Sequence, residues 1–136
     1  MKLLTFFRPV TDRLTPFAPL ILRLGLGYVF MRHGLMKVHA GPAQGAQFLG
    51  HLGFPLPSVF AVVVITVETL GAACLALGLL TRFWAFCMAV EMAVAIWIAV
   101  LPRAPELEGT LLAGALALIA LGAGPLSLDR LIQKKI

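Results

Sequence analysis

Apolar residues run through this chain in four long blocks, at about 17–38, 58–80, 82–101 and 107–123, separated by clusters of glycine and proline. Each block holds roughly 17–23 residues, the length that crosses a hydrocarbon core at ~1.5 Å of rise per residue. The pattern therefore predicts an all-α membrane protein, a four-transmembrane-helix bundle spanning residues 17–123. Residues 1–16 read as a cytoplasmic or interfacial leader. Leu3, Leu4, Phe6, Phe7 and Val10 give it an apolar face beside Arg8 and Arg13. Between the first two blocks, Gly41, Pro42, Gly45, Gly50, Gly53, Pro55 and Pro57 argue against one continuous helix, leaving room for a short interfacial helix around 43–52. Thr81 and Arg82 read as a tight turn, and Pro102 and Pro105 break the chain before the fourth block. Residues 124–136 form a polar tail, in which Ser127 suggests a final capped turn.

Composition agrees with lipid as the main solvent. Of 136 residues, 60% are hydrophobic and 12% charged, against ~45–50% and ~25% in soluble domains. The net charge of +5 is not interleaved with stacking aromatics on a polar face, which argues against a nucleic-acid partner. Lys2, Arg8, Arg13, Arg82, Arg130, Lys134 and Lys135 fall on one side of the predicted bundle, with only Lys37 and Arg103 on the other. Seven against two places both termini in the cytoplasm. No small-residue cleavage site closes the first apolar run, so it is expected to be a retained span.

The informative residues are the ionisable ones within or beside the spans: Arg23, Arg32, His33, Lys37, Glu68, Glu91 and Glu108. A charge near the bilayer centre costs at least ~2.5–3.5 kcal/mol, so such groups turn inward and pair or change protonation state. Arg23 lies ~9 Å from the inner boundary, Glu91 ~13 Å and Glu68 ~18 Å. These depths predict an Arg23–Glu91–Glu68 network with His33 above it and a Lys37–Glu108 pair as a lid. Arg23, Gly27, Phe30, Gly34 and Lys37 share one helical stripe, and its glycines permit close approach of another helix. Glu68, Gly71, Ala72, Leu75 and Gly78 form a matching small-residue stripe, while Trp84, Cys87, Met88, Glu91, Ala95 and Ile98 share a face of the third span. Arg32 falls opposite and is expected to snorkel.

Other chemistries find little support. His33, His39 and His51 have no partners at zinc or haem spacing, so no metal site is expected. Cys74 and Cys87 belong to no CxxC pair and read as buried core residues. No phosphate-binding glycine loop or nucleophile elbow occurs, and no covalently held cofactor is expected. A coupled Glu68–Glu91 pair would exchange protons, which suits quinone reduction and proton-linked transport alike.

Four stretches together resemble the DoxX family of small bacterial inner-membrane proteins. They are Arg23-Leu24 with Gly27, Phe30, Gly34 and Lys37; LGFP in the outer loop; Glu68, Gly71, Leu75, Gly78, Thr81 and Arg82 within ETLGAACLALGLLTR; and Glu108 followed by a leucine-alanine helix and GAGPLSLDRL. The resemblance runs from about residue 18 to 132. It implies a multi-pass four-helix bundle in the bacterial inner membrane, and involvement in redox processes linked to quinones or thiols. Carried over residue by residue, it supports Arg23, Lys37, Glu68, Arg82, Glu108 and Asp129; Glu91 and His33 are not among them. The expectation is an accessory or membrane subunit of a redox process with a quinone bound between helices and a redox-enzyme partner supplying electrons. A scaffold or chaperone for another protein, and a small-molecule or lipid transporter working as a homodimer, are the alternatives.

Overall fold

The computed structural model describes residues 8–100 and 105–135, and among these it is all-helical. Arg103 lies outside the described residues. Helix α1 (Arg8–Leu14) runs through a tight 3-10 turn at Thr15–Phe17 into α2 (Ala18–Ala40). Pro16 and Pro19 fall in the first turns of these segments, where a missing N–H costs nothing. Gly41, with φ +87°, ends α2 and opens α3 (Pro42–His51). Helix α4 (Pro57–Leu77), α5 (Thr81–Ile98), α6 (Glu106–Leu121) and α7 (Leu128–Gln133) follow.

Three helical runs are long and apolar enough to cross a membrane: Thr11–Ala40, Pro57–Leu77 and Thr81–Ile98. Helix α6 has 16 residues, about 24 Å at 1.5 Å each, short of a ~30 Å hydrocarbon core. It packs along α5 and against α2.

The outside of the bundle is as apolar as the inside. Ile21, Tyr28, Val59, Leu70, Phe86, Trp97 and Leu116 are all exposed, a surface that water would not tolerate over such an area and that lipid matches. The interior is filled by Leu26, Phe30, Leu75, Met88, Ala115 and Leu118 together with a few polar groups. Helix α2 sits directly on α4. A Cβ at Gly34 would lie 2.7 Å from Thr69 Cγ2 and 2.8 Å from the Glu68 carbonyl carbon; one at Gly27 would lie 3.1 Å from the Ala72 carbonyl oxygen. The glycine stripe thus brings the two backbones together and puts Gly34 level with Glu68.

The α4–α5 connection lies earlier than Thr81–Arg82. Helix α4 ends at Leu77, Gly78 takes a left-handed φ of +72°, and the Leu79 N–H donates to the Cys74 carbonyl at 2.9 Å, a Schellman closure. Thr81 is already the first residue of α5. At the far end of the chain, Ser127 caps α7 by accepting from the Arg130 N–H at 3.3 Å.

Helix α4 contains a π-helical turn at Val67–Gly71, and α5 passes at its end into another at Ala95–Val100. Such turns carry one residue more than an α-helix needs and occur often where a helix presents a functional group. Glu68 lies inside the first, and Glu91 one turn before the second.

Candidate functional site

The polar residues of the spans gather at two separate places, one towards each end of the bundle. The first is formed by α2, α4, α5 and α6 around a cavity of about 160 Å³, whose wall includes His33, Lys37, Glu68, Glu91 and Glu108. Lys37 Nζ lies 2.5 Å from Glu68 Oε1; the Glu68 side chain is 4% exposed and that of Lys37 41% exposed. Glu91 faces the same cavity from α5, close to Glu68 and Lys37. One oxygen of each acid, Glu68 Oε2 and Glu91 Oε2, is buried without a donor. Phe30, Met92 and Leu111 close the cavity with apolar surface.

Arg23 is not part of this cluster. It is fully buried at the other end of the bundle, where its Nη2 donates to the Leu126 carbonyl oxygen at 2.5 Å, near Gly78, Ser127 and Asp129. Arg23 therefore stands outside the predicted Arg23–Glu91–Glu68 network, of which only Glu68 and Glu91 come together. The cause is side-chain direction: a long helical side chain leans towards its own N-terminus. On α2 that carries Arg23 towards the end bearing the chain termini. The same lean carries Lys37 down one turn to the level of Gly34 and Glu68, so Lys37 pairs with Glu68 rather than with Glu108. Glu108 and His33 line the same cavity and form no ion pair among the described residues.

At the Arg23 end, Asp129 ties the chain together. Its two carboxylate oxygens accept from the N–H groups of Leu80 (2.7 Å) and Thr81 (2.9 Å), and its own N–H donates to the Gly78 carbonyl at 2.9 Å. Leu80 has a φ of +51°, unfavourable for a side chain with a Cβ, and Asp129 holds it there. Gly78 is required at its position twice over: its φ is positive, and a Cβ would collide with the Arg23 guanidinium and with Ser127 Cβ. Gly71 is covered by Trp84, whose ring carbon would lie 2.6 Å from an added Cβ. The Arg82 guanidinium lies over Gly122, 3.4 Å from where a Cβ would be.

Sequence reasoning missed Ser127 and the Leu126 carbonyl as surroundings of Arg23. The GAGPLSLDRL ending carried that signal, since a buried guanidinium needs acceptors and this segment supplies carbonyls not used by a helix. Cys74 and Cys87 are partly buried free thiols, and no group of three or more metal-ligating side chains occurs among the described residues.

These features define a class: a small all-helical membrane protein with charged side chains turned inward between apolar spans. The family follows from comparison with known proteins. The DoxX family model matches residues 18–101, and the chain belongs to that family. It is 34% identical over 120 residues to a Bacillus subtilis (strain 168) protein named "Putative oxidoreductase CatD", covering 85% of this chain and 87% of that one. It is also 34% identical over 84 residues to a protein of Haemophilus influenzae named only as uncharacterized, covering 62% of this chain and 60% of that one. No solved structure matches it.

Proposed function

We propose that this protein is a membrane subunit of a redox process, binding the polar head of a quinone-type amphiphile at the Lys37–Glu68–Glu91 cluster and exchanging a proton with it. The observation that carries this reading is an ion pair and a second carboxyl group facing one small cavity between four helices. The residues suit such a head group. Lys37 offers a cationic donor to a carbonyl oxygen, Glu68 and Glu91 have unsatisfied oxygens, and Phe30 and Met92 provide apolar walls for a ring. A volume of about 160 Å³ is below the ~300–1,000 Å³ of pockets that enclose whole ligands, so a tail would remain in lipid. A bound quinone would take up electrons and protons, and the electrons would come from a partner subunit. The oxidoreductase name of the Bacillus subtilis relative supports the redox setting.

The same reading takes α6 as a fourth span with both termini in the cytoplasm and the protein as multi-pass in the bacterial inner membrane. The excess of basic residues on the side bearing the termini supports this orientation, as does the packing of α6 along α5.

The test is to purify the protein in mild detergent, identify co-purifying lipids by mass spectrometry, and follow thermal unfolding while adding a short-tailed quinone. Quinone should raise the midpoint of the wild type and not that of E68Q. E106Q, an exposed position outside the cavity, should respond as the wild type does. Absence of any bound or stabilising quinone would reject the ligand and favour a scaffold.

A further inference from the structure

A second cavity, of about 540 Å³, lies at the opposite end of the bundle, between the start of α5, the end of α6 and α7. We propose that it binds a net-anionic phosphate group. Arg82 from α5 and Arg130 from α7 stand in its wall, and neither forms an ion pair among the described residues. Two guanidiniums from different helices lining one cavity suit the oxygens of a phosphate, which a guanidinium can contact in bidentate fashion.

The third charged residue in the wall, Asp129, does not neutralise them. Its carboxylate is already met by the Leu80 and Thr81 N–H groups and by the nearby Arg23 charge. The position also fits. The cavity is lined by residues at the start of α5 and the end of α6, where an apolar span would meet the lipid head groups, and Phe83 and Leu121 add apolar surface to its wall. Basic pockets between helices at this depth hold anionic lipid head groups.

The phosphate has two sources, an anionic lipid or a free ion, and one experiment separates them. Thermal unfolding of the detergent-purified protein is followed with phosphatidylglycerol, with phosphatidylcholine, and with sodium phosphate against sodium chloride at equal ionic strength. Phosphatidylglycerol should raise the midpoint by several degrees more than phosphatidylcholine if a lipid is the ligand; phosphate should outperform chloride if a free ion is. R82Q/R130Q should lose most of that shift, while K134Q/K135Q, which removes the same charge from the nearby tail, should keep it. Equal shifts in the two double variants, or no preference for either anionic probe, would overturn the proposal. If R82Q/R130Q does not fold, R130Q alone takes its place, together with mass spectrometry of the wild type. Retained phosphatidylglycerol that R130Q loses supports the site, and retention unchanged by R130Q rejects it.

Discussion

Replacing Lys37 with Met should cost more stability than replacing its partner Glu68 with Gln. The reason is the asymmetry of burial, with 4% of the Glu68 side chain exposed against 41% for Lys37. Two charges ~4 Å apart attract by about 4 kcal/mol at an effective dielectric of ~20. Desolvation and the exposure of Lys37 offset part of that gain. K37M leaves a buried carboxylate without its counter-ion, which should cost about 3 kcal/mol, at the low end for broken buried pairs. E68Q leaves an ammonium that can stretch towards the head groups and should cost only about 1 kcal/mol. The double variant removes both charges and should cost about 2 kcal/mol, giving a coupling of about 2 kcal/mol between the sites. Reversible unfolding in mixed dodecyl maltoside and dodecyl sulfate micelles, followed by the fluorescence of Trp84 and Trp97, would measure all three. Additivity within ~0.5 kcal/mol, or a larger loss in E68Q than in K37M, would refute the reasoning.

Further outcomes follow from the close helix contacts and the chain-end ties. G34A should destabilise by about 1–3 kcal/mol, because its Cβ would lie under 3 Å from Thr69 and Glu68. G25A, on the same helix with nothing within 4 Å, should be neutral or stabilising by up to ~1 kcal/mol. The same micelle unfolding assay reads both, and equal losses would disprove the close packing of α2 on α4. D129A removes the acceptors of two backbone N–H groups and the restraint on Leu80. It should cost about 1–3 kcal/mol and expose the chain after Gly122 to limited proteolysis. S127A should cost about 1 kcal/mol through loss of the α7 cap, measured as a lower thermal midpoint.

The apolar blocks made the long helices legible, because only lipid accommodates so much outward-facing leucine, valine and phenylalanine. The glycine stripe on α2 was legible for the same kind of reason: a row of small residues at helical spacing has little use other than close packing. Partner choice among the charges was not. Counting residues from a span boundary assigns a depth to each Cα, but Arg23 and Lys37 reach several ångströms away from theirs. Both lean towards the α2 N-terminus, so one moves out of the expected network and the other moves into it. The vertical offset between α2 and α4, which sets Gly34 beside Glu68, depends on how α3 fills the connection, and periodicity within a single helix carries no information about that. The wide turn at Val67–Gly71 was equally hidden, since an extra residue per turn leaves an apolar run looking continuous.

That wide turn takes up one extra residue between two parts of α4 without rotating one against the other. Removing one residue between Val67 and Gly71 would let the chain wind as an ordinary helix, with Ala72 and Leu75 still on the side they present to α2, because the wide turn already absorbs the ~100° that a surplus residue adds. The same deletion made within Ala72–Leu77 would swing everything beyond it by about 100°. The surplus residue thus changes which side chain points inward at its own level and leaves the packing at the next level untouched.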